Sequence, residues 1–270
     1  MPELPEVETT RRGLEPHLKG ATLIEANVRE PRMRWPVATG LEAELAQQRL
    51  LGIDRRAKYL LFRFGPGQLM VHLGMSGSLR LVGENDAVGK HDHFQARFDN
   101  GMVMRFRDPR RFGSIHWLPL GESHSLLDSL GPEPLSTELT ASYLYQRSRG
   151  KTVAVKNFIM NNHIVVGVGN IYATEALFRA GISPKRAAGK VSLPRFERLV
   201  SDIRNVLSEA IEQGGTTLRD FVGGTGDAGY FSLALQAYGR EGEPCVNCAK
   251  PLKGIRLGQR ATVFCSGCQR

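Results

Sequence analysis

Between residues 21 and 118 the chain is dominated by short runs rich in Val, Leu, Ile and Phe, among them KYLLFRF at 58–64, QLMVHL at 68–73 and SLRLV at 78–82. Runs of this length and composition predict β-strands. Two of them, HFQARFD and MVMRFRD, flank Asn100-Gly101, the dipeptide that best tolerates the positive φ angles of a type I′ turn, so a hairpin is predicted there. This half therefore reads as a β-sandwich or barrel. In front of it, Pro5 suits the first turn of a helix running to about Leu18, with Val7, Leu14 and Leu18 facing inward.

From about residue 122 the apolar period changes from two to 3.6, and LDSLGPEPLS at 127–136 has the Gly and Pro content of a linker. A boundary is placed near 135. The clearest helix is 195–213, where Phe196, Leu199, Val200, Ile203, Val206, Leu207, Ala210 and Ile211 recur at spacings of three and four until Gly214-Gly215 ends the run. A second helix is predicted over 171–180, with Asn170 as its cap and Gly181 as its stop. The expected organisation is an α+β multidomain chain: a β-rich part at 1–134, a helical part at 135–235, and a short module at 236–270 that holds every cysteine. There is no internal repeat, and the one low-complexity stretch is GGTGDAG at 223–229.

Charge adds a partner to this picture. With 36 Lys and Arg against 27 Asp and Glu the net charge is +9 and the pI about 9.6, which points to a polyanion. A hydrophobic fraction of 41% and a charged fraction of 23% exclude a disordered, collagenous or coiled-coil chain. No apolar run approaches the roughly 18 residues that span a bilayer. The start, MPELPEVETTRR, lacks the apolar core of a signal peptide. All four cysteines fall within residues 245–268, whereas a disulfide-stapled secreted protein would spread them along the chain. The expectation is a soluble cytoplasmic protein with no membrane partner, acting as a monomer.

Five stretches carry candidate chemistry. Cys245-x2-Cys248 and Cys265-x2-Cys268 are separated by sixteen residues, the spacing of two knuckles facing one another across a hairpin. Four thiolates complete a tetrahedral Zn²⁺ and leave no open position, so one structural zinc is expected; two disulfides or a redox pair are the other readings. Residues 235–270 carry a net charge of +4, which suits a phosphate backbone and equally a protein-binding ribbon. The loop VVGVGN at 165–170 opens into IYATEALFRAG, and the free N–H groups of such a helix start favour an anion; an ordinary tight helix start has the same pattern. In RFRDPRRFG at 105–113 basic and aromatic residues interleave, so guanidinium groups can meet phosphates or base edges while a ring wedges into a base step, although a solvated basic strand edge reads alike. Met75, on a glycine-flanked turn in HLGMSGS, is either a second apolar wedge or packing. Finally, Pro2 is small enough for the initiator Met to be removed, which exposes a secondary amine able to attack a sugar carbon, with Glu3 and Glu6 beside it for proton transfer. The bland reading of the same residues is a helix start with Pro and acids placed for the dipole.

Taken in order, PELPEVE, RRAKYLL, HLGMSGSLR, DPRRFG, VGVGNIYA, EQGGTTL and the four-cysteine ribbon resemble the bacterial formamidopyrimidine-DNA glycosylase family over essentially all 270 residues. The resemblance implies an N-terminal β-sandwich with an N-terminal helix, a helix-two-turn-helix domain and a C-terminal zinc-finger hairpin, with DNA lying in the cleft between the two larger parts. It also implies a bifunctional repair enzyme that flips an oxidised purine, such as 8-oxoguanine or a formamidopyrimidine, out of duplex DNA, removes it and cuts the strand at the abasic site. Matched residue by residue, Pro2 would be the nucleophile, Glu3 the acid/base, Lys58 the proton donor for β-elimination and Arg260 that for δ-elimination. His91, Arg110 and Lys151 match DNA contacts, and His72 and Asn170 phosphate contacts. Met75, Arg110 and Phe112 match the triad that fills the hole left by the flipped base, with Arg110 facing the orphaned cytosine. The family covers the flipped base with the loop after GGTTL, here GGTGDAGY, a stretch poor in side chains.

Two other readings stand beside this one. An endonuclease VIII-type glycosylase for oxidised pyrimidines shares the proline, the helical module and the hairpin, but Leu4 and the Met75, Arg110, Phe112 set resemble the purine branch. A non-catalytic DNA-damage-binding protein would be expected to lose Pro2, Glu3 or Lys58, and all three are present.

Overall fold

The computed structural model describes residues 2–214 and 235–270, which form two compact units. The glycine-rich stretch at 223–229 and the base-covering loop expected at 216–230 lie outside the described residues.

The first unit, residues 2–128, contains α1 (Leu4–Leu18), β1 (Thr22–Val28), α2 (Leu41–Leu45), β2 (Gln48–Arg49), β3 (Gly52–Arg56), β4 (Tyr59–Arg63), β5 (Gly67–His72), β6 (Ser78–Gly83), β7 (Asp92–Phe98), β8 (Met102–Arg107), β9 (Ser114–Pro119) and the single turn α3 (Ser125–Asp128). The strands make a five-stranded sheet in the order β2-β1-β7-β8-β6 and a four-stranded sheet in the order β3-β4-β5-β9, every pair antiparallel. Side chains from both sheets meet in one core that includes Leu60, Phe62, Leu69, Val71, Phe94, Phe98 and Phe106, so the unit is a β-sandwich. Each fully buried Phe stabilises it by about 2–3 kcal/mol. Helix α1 packs on β3, β4 and β6 through Val7, Leu14 and Leu18, as its spacing requires.

The β7–β8 hairpin forms as predicted but not with a type I′ turn. Only Gly101 has positive φ (+78°); Asn100 does not. The Gly101 N–H donates to Phe98 O, so the turn centres on Asp99-Asn100 and Gly101 becomes the left-handed bulge residue after it. The Asn100 side chain is occupied elsewhere, donating to His17 O at 2.8 Å and accepting from Met102 N at 3.1 Å.

The second unit joins Ser129–Gln213 to residues 235–270. It contains α4 (Ala141–Ser148), α5 (Val155–Ile159), α6 (Asn170–Arg179), a 3₁₀ turn (Ala188–Lys190), α7 (Leu193–Glu212) and the hairpin β10 (Lys253–Leu257) with β11 (Arg260–Phe264). The predicted stripe from Phe196 to Ile211 is buried against α4 and α6. The helix begins two residues earlier than read, because Pro194 is tolerated in a first turn. The 127–136 stretch is no loose linker: Gly131 N–H donates to Asn162 O at 2.7 Å, and Arg204 of α7 donates to Pro134 O, Ser136 O and Leu139 O. A Cβ at Gly131 would stand 2.8 Å from the Ile164 backbone, so this glycine serves close approach rather than flexibility.

Candidate active site and nucleic-acid interface

Pro2 is buried just ahead of α1. Glu3 is the N-cap, in extended backbone, and the Glu6 carboxylate turns back to accept the Glu3 N–H at 2.7 Å, the return bond of a capping box. Both carboxylates are buried, at 2% and 0% exposure, within four residues of Pro2 along the chain. Lys58 is buried too, on the two-residue turn between β3 and β4 where Arg56 pairs with Tyr59. Ala57 in that turn has φ +54°, a left-handed conformation costly for a residue with a Cβ.

His72 ends β5, and its Nδ1 accepts the Gly74 N–H at 3.0 Å. That bond leaves the ring proton on Nε2 as a donor. Burial, reinforced by the charges of Lys58 and Arg34, holds its pKa down at about 4, so the ring is neutral near pH 7.

The three candidate wedge residues are brought together in the first unit. Met75 and Phe112 are 43% and 40% exposed, and the Arg110 guanidinium lies 4.7 Å from the Phe112 ring centre. Two devices hold their loops. Gly74, at φ +68°, lies so close to the neighbouring loop that a Cβ would be 2.4 Å from both Phe112 C and Gly113 N. Asp108, fully buried, accepts from Ser76 Oγ at 2.7 Å and from Gly113 N at 2.8 Å, binding the Met75 loop to the Phe112 loop. Its own N–H and C=O reach back to His91 O (3.0 Å) and His93 Nε2 (2.9 Å), which places His91 in the same assembly.

In the second unit the cap of α6 is Gly169 rather than Asn170. Asn170 is the first helical residue, and its side chain is drawn away to donate to Ala261 O at 3.1 Å, next to Arg260. Its Oδ1 is buried and has no hydrogen-bond partner. Arg260 is exposed and follows Gly258 and Gln259, both at positive φ, in a tight hairpin tip. Lys151, exposed, sits after Gly150 (φ +73°) on a loop whose carbonyl accepts from Gly189 N.

The four cysteine sulfurs lie within 4.8 Å of one another, with Cys248–Cys265 at 3.5 Å and Cys245–Cys268 at 3.9 Å, and all four thiols are free. Four ligands about 2.3 Å from a tetrahedral ion stand about 3.8 Å apart, so the cage fits a metal and not a pair of disulfides. Burial raises the Cys265 thiol pKa, but N–H groups of Cys268 and Gly267 together with the Cys248 and Cys245 thiols bring it down to about 7. The neighbouring thiols and burial push Cys268 up to about 12, so the first thiolate falls on Cys265.

Three residues that the motifs did not flag complete these sites. Lys156, fully buried, donates to Thr262 Oγ1 at 2.8 Å and Ala261 O at 3.2 Å, supporting the hairpin beside Arg260. Glu175 accepts the N–H groups of Gln236, Ala237 and Tyr238 at 2.7–2.9 Å and anchors the lead-in to the cysteine ribbon. Asp108 is the third. The only trace of Lys156 and Glu175 in the sequence is a charged residue on an otherwise apolar stretch of helix.

The model of the formamidopyrimidine-DNA glycosylase N-terminal domain matches residues 1–115, and that of the formamidopyrimidine-DNA glycosylase H2TH domain matches residues 130–222. The chain is 55% identical over 270 residues to a formamidopyrimidine-DNA glycosylase of Acidithiobacillus ferrooxidans and 56% identical to one of Stutzerimonas stutzeri, each covering 100% of both chains. Among solved structures it is similar to the MutM (Fpg) protein of Thermus thermophilus, with TM-score 0.89, 38% identity and coverage of 99% and 98%. It is also similar to the Lactococcus lactis Fpg in complex with DNA containing an abasic site, with TM-score 0.91, 32% identity and full coverage of both chains.

Proposed function

The chain belongs to the formamidopyrimidine-DNA glycosylase family, and from that membership we propose that Pro2, once exposed as the first residue, is the nucleophile that joins protein to damaged DNA. The protein is a base-excision repair glycosylase and abasic-site lyase whose partner is double-stranded DNA carrying oxidised purines or abasic sites. In the first step the Pro2 nitrogen bonds to C1′ while the glycosidic bond breaks, its electron pair leaving with the base. Glu3 moves the protons that base departure and opening of the sugar ring require. The resulting iminium acidifies C2′. Loss of the C2′ proton expels the 3′ phosphate as the C3′–O bond breaks, with Lys58 supplying positive charge and a proton to the leaving oxygen. Loss of the C4′ proton then breaks the C5′–O bond, assisted by Arg260.

Met75, Arg110 and Phe112 enter the stack as the base leaves. Extruding a base costs a few kcal/mol, which inserted side chains partly recover. Arg110 presents its guanidinium to the base left opposite. His91, Lys151, Asn170 and neutral His72, a donor through Nε2, hold phosphates, so binding weakens with salt. The cysteine cage holds one structural Zn²⁺ that stiffens the hairpin bearing Arg260 and takes no part in bond making. By domain, residues 1–134 form the β-rich catalytic part, 135–235 the helix-two-turn-helix DNA-binding part and 236–270 the zinc-finger hairpin, with DNA contacts drawn from the first two and Arg260 from the third. Its DNA substrate puts its work in the bacterial cytosol.

The observation that carries this reading is the start of α1: Pro2, Glu3 and Glu6 are each buried, whereas the acids of an ordinary surface helix start stay in solvent. Borohydride reduction in the presence of an 8-oxoguanine duplex tests it. A covalent adduct forms with the native chain and not with Pro2→Gly. Strand cutting at the native rate by Pro2→Gly, or by a chain whose first nitrogen is acetylated, refutes it.

A further inference from the structure

The lyase step needs two groups from distant parts of the chain to be held in register, the nitrogen at the start of α1 and the Lys58 ammonium on the β3–β4 turn. A chain of bonds joins these two elements away from the reacting atoms. Glu8, one turn into α1 beyond the capping box and only 9% exposed, accepts from Arg55 Nε at 3.2 Å. Arg55, near the end of β3, donates in turn through NH1 to the carbonyl of Ala57 at 2.9 Å. Ala57 is the residue at φ +54°, buried, and directly before Lys58.

We propose that the Glu8–Arg55 pair is a positioning device that holds the strained Lys58 turn in register with the helix carrying Pro2, and so sets the efficiency of β-elimination. The proposal rests on the assignment of Lys58 given above.

Three physical points support it. A left-handed Ala costs roughly 1–2 kcal/mol and persists only where surrounding contacts over-determine it. The bond from Arg55 to the Ala57 carbonyl is such a contact, and it acts on the one peptide whose orientation aims Lys58. Second, Glu8 stays ionised: burial pushes its pKa up, but hydrogen bonds from Arg11 and Arg12 and the charges of Arg11 and Arg55 bring it below the usual carboxylate range. Arg55 is largely buried, so without Glu8 its guanidinium loses a fixed counter-charge and has reason to turn towards solvent, releasing the Ala57 carbonyl. Third, the same helix is docked on the same strand by Arg11, which donates to Ile53 O at 3.3 Å as well as to Glu8. The helix therefore stays seated when Glu8 alone is altered, and the effect falls on the turn.

The test separates base release from strand cutting on one 8-oxoguanine duplex, under single turnover, with melting temperature measured alongside. Glu8→Gln is expected to release 8-oxoguanine within about twofold of the native rate and to slow β-elimination on the order of tenfold, because small misplacements of a positioned group are costly. Ala57→Gly is expected to keep a near-native melting temperature, since relief of the positive φ offsets the lost methyl, and still to slow β-elimination relative to base release, because a glycine turn aims Lys58 less strictly. An unchanged ratio of the two rates in both variants, or rates that fall together in proportion to lost stability, overturns the positioning role. Lys58→Gln is the control for the underlying assignment. If it eliminates as fast as the native chain, the error lies in the role given to Lys58; if it stalls while the other two variants keep their ratio, the error lies in the tie.

Discussion

Replacing Gly74 with Ala is the most incisive perturbation of the wedge, because it adds one methyl at the contact between two loops and removes nothing. At φ +68° the added Cβ costs roughly 1–2 kcal/mol in backbone conformation alone. The methyl would also stand 2.4 Å from Phe112 C, 2.4 Å from Gly113 N and 2.7 Å from Phe112 O, all backbone atoms that cannot rotate aside. Ordinary contact begins at 3.4 Å, so the two loops must separate by about 1 Å, an overpacking that costs typically 1–3 kcal/mol. The total is about 2–5 kcal/mol, which lowers the melting temperature by roughly 5–15 °C. The function of the wedge should suffer beyond this. A separation of this size moves Met75 and Phe112 apart and stretches the Asp108 bonds to Ser76 and Gly113. Single-turnover cutting of an 8-oxoguanine duplex, followed below the unfolding range, is expected to slow by up to about 100-fold. An abasic duplex, which has no base to extrude, is expected to be less affected. If the Ala variant melts within about 1 °C of the native chain and cuts both duplexes at native rates, the close approach at Gly74 does not organise the wedge.

Other outcomes can be checked in simpler experiments. Cys248→Ser removes one of four cage ligands; metal content by mass spectrometry should fall to a small fraction, and DNA binding should be lost before the rest of the chain unfolds, because metal binding and hairpin folding share their free energy. Replacing Arg110 with Ala should weaken discrimination for the base opposite the lesion, whereas equal loss against every opposite base would make it a phosphate contact. His72 fixes a pH window: unfolded, it takes up a proton near 6.5, but folded only near 4, so the stability it contributes is complete above 6.5 and is lost as pH falls from there to 4. That contribution is roughly 3 kcal/mol, and urea titrations across this range should show His72→Gln losing part of the acid sensitivity; an identical pH profile would rule the histidine out.

Much of the chain is legible in its linear order. Period two and period 3.6 separate strands from helices because side-chain geometry repeats locally, and the stripe from Phe196 to Ile211 is buried as its spacing requires. The paired Cys-x2-Cys spacing predicts a cage because each knuckle is local, and Pro2, Glu3 and Lys58 are recognisable from the motifs around them. The structure departs from local propensity where a distant partner decides the outcome. Asn170 has the chemistry of a cap, yet the Ala261 carbonyl 91 residues away competes for its side chain. Asn100-Gly101 suits a type I′ turn, but His17 takes the Asn amide. The 127–136 stretch has the composition of a linker, and Arg204 pins it down.

What the linear order alone determined, then, is which groups the molecule carries and the local element each sits on. Tertiary structure decided which of them meet: the contact of Gly74 with Phe112, the grip of Asp108 on two loops, the burial of Lys156 under the hairpin and the tie from Glu8 through Arg55 to Ala57. Backbone propensity and periodicity act over a few residues. A buried charge is tolerated where a partner meets it, and for Lys156, Glu175 and Arg55 folding brings a partner from elsewhere in the chain, outside any short window of sequence.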